Sequence, residues 1–256
     1  MSIFFADKLA AAVERNDSLL CIGLDPDLSR TPIDDVVEFN KSIIDATKDL
    51  VCAYKPNVAF YDALGEEGYD VLARTREHVP DHIPVIGDSK RGDVEVASRF
   101  YAKAMFEQHG FDAVTVNPYA GRDSLQPFLD WEDKGVFIWC RSSNPGAREM
   151  QDLVVKSDDG NGMFPLYQWV AKLASKWNHL GNVGLVVGAP YPDELQKVRE
   201  ICPNMPILIP GVGAQSGSLE LAVSHGVDRD GRNAIINVSR SIIYASDENA
   251  NFDVAA

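Results

Sequence analysis

Residues 85–93 read VIGDSKRGD, a stretch in which an apolar run ends abruptly in charged residues. The apolar start has the composition of a buried strand. The end holds the carboxylates of Asp88 and Asp93 with Lys90 between them, and Gly92 frees the backbone to turn. Charged groups at the end of a core strand are costly unless they are paired, so we expect these residues to form ion pairs or to serve a functional site.

The run at residue 85 is one of eight comparable runs along the chain. The others are LLCIGLD from residue 19, VCAYKPN from 51, AVTVNPY from 113, GVFIWCRSS from 135, VGLVVGAP from 183, PILIPGVG from 206 and NAIINVSRS from 233. Segments with apolar residues three and four apart lie between them, as in VVEFNKSIIDATKDL at 36–50, and this spacing predicts helices. Eight strand–helix units predict an α/β fold, a (β/α)8 TIM barrel formed by residues 1–256 as one domain. An open, doubly wound sheet is the alternative. The polar segment at 156–165 is expected to be a surface excursion.

The composition restricts the classes of partner. Lys and Arg number 24 against 38 Asp and Glu, so the net charge of −14 opposes binding to nucleic acid. No apolar run is long enough to cross a membrane. Cys21, Cys52, Cys140 and Cys202 lack metal-binding spacing and are predicted to be reduced and buried. The N-terminus resembles a short amphipathic helix and not a signal peptide, so the expected location is cytoplasmic.

Polar residues follow nearly every predicted strand. They are Asp25, Lys55 with Asn57, Asp88 with Lys90, Asn117, Ser142 with Ser143, Gln215 and Arg240. In a barrel the carboxyl ends of the strands share one mouth, where barrel enzymes build their active sites. Individually, several of these residues have a purely structural alternative as a helix cap or turn residue, for example Asn117 before Pro118.

Lys55 is the least ordinary of these residues, because a lysine within an apolar strand is rarely buried without a partner. Asp88 and Lys90 lie two apart on one strand, which predicts that they share a face. Lys55 on the preceding strand is within reach of Asp88, so the three side chains form an alternating row of charges. Lysines held protonated in this way suit proton donation better than Schiff-base chemistry. A purely structural ion-pair network is the alternative.

Two glycine- and serine-containing segments follow the last two strands: PGVGAQSGS at 210–218 and NVSRSI at 237–242. In barrels these positions frequently bind phosphate through backbone N–H groups. Ser239 and Arg240 add a hydroxyl and a positive charge. The sequence therefore predicts an anionic substrate whose phosphate is bound here and whose other end lies over Lys90.

Taken together, the motifs resemble the orotidine 5'-phosphate decarboxylase family in its longer microbial branch. The segments are FNKSIIDAT at 39–47, YKPNVAFYDALG at 54–65, DSKRGDV at 88–94, VNPYAGRDSLQPF at 116–128, CRSSNPGA at 140–147, PGVGAQSGSLE at 210–220 and INVSRSIIYA at 236–245. The resemblance covers nearly the whole chain. It implies a homodimeric barrel that converts orotidine 5'-monophosphate to UMP and CO2, the last step of de novo pyrimidine nucleotide synthesis, without metal or organic cofactor.

The resemblance also implies roles for individual residues. Lys90 matches the proton donor to C6 of the pyrimidine, Asp88 the carboxylate beside the departing CO2, and Lys55 its paired lysine. Asp93 matches the aspartate that enters the neighbouring subunit's site. The implied substrate contacts are Asp25 at the ribose, Ser143 at the pyrimidine amide, Gln215 and Arg240 at the phosphate, and additionally Asn57, Asn117 and Ser239.

The sequence departs from the family pattern at Ser89, Val94 and Ser216, where alanine, isoleucine and glycine are common. Only Ser216 bears on the site, because a Cβ restricts the backbone of the loop that glycine would leave free. Two other functions are considered. One is a Mg²⁺-dependent decarboxylase or synthase of sugar phosphates from a related barrel group, and the other is a nucleotide-binding scaffold without catalytic activity.

Overall fold

The apolar runs form one sheet of eight parallel strands in the part of the chain that the structure describes. This computed structural model describes residues 3–157, 160, 162–213, 215–246 and 252–256. The eight strands are β1 (Leu20–Leu24), β2 (Ala53–Pro56), β3 (Ile86–Arg91), β4 (Ala113–Val116), β5 (Gly135–Arg141), β8 (Val183–Val187), β9 (Ile207–Pro210) and β10 (Ala234–Val238); β6 (Val154–Lys156) and β7 (Met163–Pro165) form a separate pair. In the apolar run that starts at residue 51, the strand begins at Ala53, two residues later than the sequence suggests.

Helices follow the strands as the apolar spacing predicts. They are α1 (Phe5–Asn16), α2 (Val36–Thr47), α3 (Val58–Asp62), α4 (Gly68–His78), α5 (Glu95–Lys103), α6 (Arg122–Leu129), α7 (Arg148–Gln151), α8 (Leu166–Trp177), α9 (Pro192–Ile201), α10 (Leu219–Gly226), α11 (Arg240–Ile243) and α12 (Phe252–Ala255). Side-chain caps begin several of them: Asp35 accepts hydrogen bonds from the backbone N–H groups of Val37 and Glu38 at α2.

The sheet closes on itself. Its strand order is β2-β1-β10-β9-β8-β5-β4-β3, and parallel bridges of Tyr54 with Val85 and of Asn57 with Asp88 join the two outer strands. The Tyr54 N–H also donates to the Pro84 carbonyl at 3.0 Å. The predicted (β/α)8 barrel is therefore confirmed, and the open sheet is not the fold.

One side chain from each barrel strand fills the interior below the mouth. This cluster contains Cys21, Ala53, Ile86, Ala113, Phe137, Val186, Leu208 and Ile235, together with Cys52, which directly precedes β2, and with Phe5 and Leu9 of α1. The rings of Phe5 and Phe137 meet edge to face at 5.7 Å between centroids. The amphipathic N-terminal helix thus closes the bottom of the barrel, and a second, larger cluster lies between the sheet and the outer helices.

All four cysteines are buried free thiols, as predicted. Burial raises the pKa of Cys52 to about 12 and that of Cys202 to about 11. Thiols with such pKa values are protonated at neutral pH and are poor nucleophiles. They act as small core residues.

In the polar segment at 156–165, residues 158, 159 and 161 lie outside the described residues, and the described Lys156 and Met163–Pro165 belong to the separate β6–β7 pair and not to the barrel sheet. The sequence did not indicate that its two ends pair. Strands β6 and β7 are antiparallel, with Val155 opposite Phe164 and Lys156 opposite Met163. Strands of three residues are too short to show an alternation of apolar and polar residues in the sequence.

Arg199 joins the ends of two helices through its buried guanidinium. Its nitrogens donate to the carbonyl oxygens of Cys202, Pro203, Met205, Gly226 and Asn233, at distances between 2.6 and 3.3 Å. We expect Arg199→Met to lower the free energy of unfolding by about 3–5 kcal/mol, since each buried acceptor left without a donor costs on the order of 1–3 kcal/mol. Urea unfolding measures this loss as a lower midpoint at unchanged slope.

The matched control is Arg229→Met, because the Arg229 side chain is 85% exposed. Equal unfolding midpoints for the two variants would mean that the carbonyl groups find other donors, and would contradict the assigned role of Arg199.

Candidate active site

Asp88 is the centre of a buried charge cluster at the mouth of the barrel. Its Oδ2 lies 3.2 Å from Nζ of Lys55, and its Oδ1 lies 2.6 Å from Nζ of Lys90. The Thr115 hydroxyl donates to the same Oδ1 at 2.8 Å. The predicted row of lysine, aspartate and lysine is therefore present in the structure.

The cluster fixes the charges of its buried members. Burial by itself would raise the pKa of Asp88, but the ammonium groups of Lys55 and Lys90 and the Thr115 hydroxyl hold it well below its ordinary value. Burial opposes the charge on Lys55, yet Asp88 and then Asp25 raise the pKa of Lys55 above its ordinary value. The ionised Asp88 therefore stabilises the fold above its ordinary pKa of 3.8, and this contribution is lost as the pH falls through the lower, folded-state pKa.

Lys90 reaches Asp88 through an irregular backbone and not through simple alternation along a strand. The pairing of β3 with β4 shifts register between Gly87 and Arg91, and Lys90 has φ of +46°, in the left-handed region that non-glycine residues rarely adopt. The Lys90 N–H donates to the Thr115 hydroxyl at 3.0 Å. Thr115 thus holds both the backbone of Lys90 and the carboxylate of Asp88.

A cavity of about 220 Å³ opens above this cluster at the carboxyl ends of the strands. The predicted site residues that line it are Asp25, Lys55, Asn57, Asp88, Lys90, Ser143, Gln215, Ser239 and Arg240. Side chains from β1, β2, β3, β5 and the loops after β9 and β10 thus meet in one place, as expected of a barrel mouth.

The wall near Asp25 depends on a close approach of two strand ends. The Asp25 carboxylate accepts from the Asn57 N–H at 3.2 Å, and the Ser239 hydroxyl donates to the Gly23 carbonyl at 3.1 Å. A Cβ on Gly23 would lie 2.8 Å from Cβ of Ser239 and 3.0 Å from Oδ2 of Asp25. Glycine is required there for β1 and β10 to bring these polar groups together.

Gln215 lies at an exposed position in the loop after β9. The Ser216 N–H donates to the Gly213 carbonyl at 2.8 Å, and the Gly217 N–H donates to the Gly211 carbonyl at 3.1 Å. Ser216 has φ of +66°, so this serine occupies the backbone region in which glycine would be unstrained. Arg240, at the start of α11, is also exposed and faces the same cavity.

Asp93 and Asn117 are the two predicted site residues that do not line the cavity of their own chain. The exposed Asp93 carboxylate accepts from the Val94 N–H at 2.7 Å. The Asn117 side chain accepts from the Tyr119 N–H at 3.0 Å, which is the turn that the sequence offered as an alternative. The roles of both residues stay predictions.

The sequence did not single out several residues that belong to this site. Trp139, Arg141 and Asn237 line the cavity, and the Trp139 ring centroid lies 5.6 Å from Nζ of Lys90. Arg141 could have been predicted from its position at a strand end, because it directly precedes Ser142 and Ser143. Trp139 lies within an apolar strand and gives no comparable signal.

The described residues contain neither a clustered set of metal ligands nor a membrane-spanning helix. No group of three or more histidine, cysteine, aspartate or glutamate side chains there is arranged to hold a metal ion. None of the helices in that part of the chain has the length and apolar character needed to span a membrane.

Comparisons with known proteins show which family the chain is similar to. The model of the family described as orotidine 5'-phosphate decarboxylase / HUMPS matches residues 18–253. Orotidine 5'-phosphate decarboxylase of Thermomicrobium roseum is 52% identical over 259 residues, covering 98% of this chain and 90% of that protein. The protein of the same name from Herpetosiphon aurantiacus is 49% identical, covering 94% and 90%. The solved structure of Leishmania donovani OMP decarboxylase has a TM-score of 0.86 and 41% identity, covering 98% of this chain and 96% of that one.

Proposed function

The chain belongs to the orotidine 5'-phosphate decarboxylase / HUMPS family, and from this membership we propose that it converts orotidine 5'-monophosphate to UMP and CO2. The observation that carries the proposal is the cluster of Lys55, Asp88 and Lys90 in one cavity with the loop after β9 and Arg240. The relatives at 52% and 49% identity are named for this activity. The protein is a carbon–carbon lyase of pyrimidine nucleotide synthesis.

The proposed chemistry needs a fixed positive charge. Loss of CO2 breaks the bond between pyrimidine C6 and the carboxyl carbon and leaves the electron pair on C6. The Lys90 ammonium stabilises this pair as it develops and then donates a proton to C6. The ion pair with Asp88 at 2.6 Å holds the ammonium in place. Water then restores the proton on Lys90.

Asp88 has a second effect, on the substrate carboxylate. Two carboxylates about 4 Å apart repel by about 4 kcal/mol at an effective dielectric constant near 20. Enzymes lower barriers by roughly 8–23 kcal/mol, so this repulsion accounts for the smaller part of the rate enhancement. The remainder has to come from interactions that are stronger in the transition state than in the bound substrate, among them that of the Lys90 ammonium with C6.

The remaining polar side chains fix the rest of the nucleotide. Ser143 binds the pyrimidine amide, while Asp25 and Asn57, which are hydrogen-bonded to each other at 3.2 Å, contact the ribose. The phosphate is bound by residues from the two last loops: Gln215, Ser239 and Arg240. Asn117 is proposed as an additional substrate contact. These assignments rest on the resemblance of the motifs and on the placement of the residues around the cavity.

The family description also includes the HUMPS proteins, so activity without metal must be tested directly. The test follows the absorbance of orotidine 5'-monophosphate after metals have been removed with a chelator. We expect the spectrum to change to that of UMP at an undiminished rate. An unchanged spectrum would refute the proposal, and activity restored only by Mg²⁺ would favour a sugar-phosphate type of enzyme. UMP binding without turnover would favour a non-catalytic scaffold.

The phosphate contacts lead to a prediction about substrate choice. Arg240→Ala should lower kcat/KM for orotidine 5'-monophosphate by about 10²–10³-fold, because a charge-assisted contact worth roughly 3–4 kcal/mol is lost. The same change should leave kcat/KM for the nucleoside orotidine nearly unaltered. Gln215→Ala should give a smaller effect of the same kind. Steady-state kinetics with both substrates measure these changes in kcat/KM. Equal losses of kcat/KM for the two substrates would mean that Arg240 and Gln215 do not contact the phosphate.

We further propose that the protein is a homodimer in which Asp93 enters the partner's site. Asp93 is exposed, and the segments that follow β3 and β4 carry apolar side chains that are 64–82% exposed: Val94, Val96, Phe100 and Tyr119. The ends of β3 and β4 are adjacent, because the Asn117 N–H donates to the Arg91 carbonyl. Exposed apolar groups concentrated on one edge of the mouth are typical of a protein interface.

The cellular setting is also part of the proposal. Four buried free thiols suit a reducing compartment, and the cytoplasm is therefore the proposed location. The net charge of −14 argues against nucleic acid as a partner. The chain is proposed to act as one domain.

A further inference from the structure

Arg141 is a fully buried arginine at the end of β5, with a side chain that is 0% exposed. Its Nη2 lies 3.1 Å from a carboxylate oxygen of Asp152 and 3.5 Å from one of Glu194. A buried charge is costly unless it is paired in this way. The charge is thus balanced by two acidic groups that come from different segments of the chain.

The guanidinium fixes one end of the loop that carries Ser143. The Gln151 side-chain oxygen accepts from Nη1 of Arg141 at 3.2 Å and from the Ser142 N–H at 2.9 Å. Ser142 in turn donates its hydroxyl hydrogen to the side-chain oxygen of Asn144. Gln151 therefore connects Arg141 to the residue immediately before Ser143.

A stacked tyrosine fixes the other side of the same loop. The Arg141 guanidinium lies 4.1 Å from the ring centroid of Tyr191, and the Tyr191 hydroxyl donates to the Asn144 carbonyl at 3.2 Å. Ser143 lies between two residues that are both held through Arg141. Its Cβ is also packed on Gly188, where an added Cβ would lie only 2.8 Å away.

We propose that Arg141 is a positioning residue that sets the location of Ser143 and thereby the affinity of the site for the pyrimidine. This inference rests on the proposed function, in which Ser143 contacts the pyrimidine amide. Only a planar guanidinium can donate to Gln151 and stack on Tyr191 at the same time, and lysine cannot replace it. The phosphate loops follow other strands, β9 and β10, and the hydrogen bonds and ion pairs of the Arg141 guanidinium go to Gln151, Asp152 and Glu194 and not to these loops.

The test compares two ligands that differ only in the base. Binding of UMP and of ribose 5-phosphate is measured by titration calorimetry for the wild type and for Arg141→Lys. We expect the affinity for UMP to fall at least tenfold, while the affinity for ribose 5-phosphate changes less than twofold. Arg148→Met is the matched control, because Arg148 also lies over the Tyr191 ring, at 5.3 Å, and should leave both affinities unchanged.

Gln151 provides a second pair of variants at a half-buried position. Gln151→Leu removes the shared acceptor and should reproduce the selective loss of UMP affinity even if Arg141→Lys fails to fold. Gln151→Glu retains an acceptor oxygen and should restore UMP binding. Equal losses for both ligands, or unchanged UMP binding in Gln151→Leu, would overturn the inference. A wild type that binds ribose 5-phosphate but not UMP would instead refute the proposed function.

Discussion

Replacement of Lys90 by alanine is expected to lower kcat by about 10⁴-fold or more while leaving UMP affinity within about threefold of the wild type. The reason is that Lys90 acts on a charge that exists only in the transition state, and UMP carries no such charge at C6. Single-turnover kinetics with orotidine 5'-monophosphate and calorimetric titration with UMP measure the two quantities separately.

The fold should survive this change, because Asp88 keeps two of its partners. Lys55 remains 3.2 Å from one carboxylate oxygen, and the Thr115 hydroxyl remains 2.8 Å from the other. Lys197→Ala is a suitable control, since Lys197 is an exposed lysine paired only with the neighbouring Glu200 among the described residues. A Lys90→Ala variant with near-normal kcat would contradict the role of Lys90 as proton donor.

The chain order of strands and the location of the site were predictable because both depend on local composition. Eight apolar runs separated by helical periodicity leave few folds open. Charged residues such as Lys55 and Asp88 are conspicuous inside such runs, since an apolar strand does not tolerate them without partners. Both the apolar runs and the charged residues within them can be recognised in one short segment of sequence, without knowledge of the tertiary contacts.

The irregular backbone at Lys90 was not predictable, because it depends on a contact between two strands. Alternation alone would place Asp88 and Lys90 on one face, and the prediction of their proximity was correct. The structure achieves this proximity through a register shift and a left-handed residue, held by Thr115 on the next strand. A threonine in an apolar run is ordinary in a strand, so nothing in the sequence marked it.

The role of Arg141 could not be predicted from the sequence either. Its partners Gln151 and Asp152 follow it by about ten residues, whereas Tyr191 and Glu194 follow it by about fifty. Sequence spacing cannot reveal such a network, because each partner taken alone is a residue type that is ordinary at a protein surface or, for the tyrosine, in a core. The tertiary arrangement determines which strand-end residues contact substrate and which hold the contacting residues in place.

A mixture of two inactive variants tests whether Asp93 serves the partner's site. If each site combines Asp88 and Lys90 of one chain with Asp93 of the other, homodimers of Lys90→Ala and of Asp93→Asn are both nearly inactive. A heterodimer of the two has one site with every residue intact and one that lacks both. Random reassortment of equal amounts makes about half of the dimers mixed, so about a quarter of all sites should regain activity.

The two variants are mixed, dissociated, reassociated and assayed beside each variant treated alone. A matched control replaces Asp93→Asn by Asp88→Asn: Asp88 and Lys90 belong to the same chain's cluster, 2.6 Å apart, so no arrangement of Lys90→Ala with Asp88→Asn restores a complete site. Recovery in the first mixture and none in the second is the expected result, because Asp93 is the one of these three residues that lies outside its own chain's cavity. Continued inactivity of confirmed Lys90→Ala and Asp93→Asn heterodimers would mean that Asp93 acts within its own chain, and recovery in both mixtures would exclude a site divided in this way.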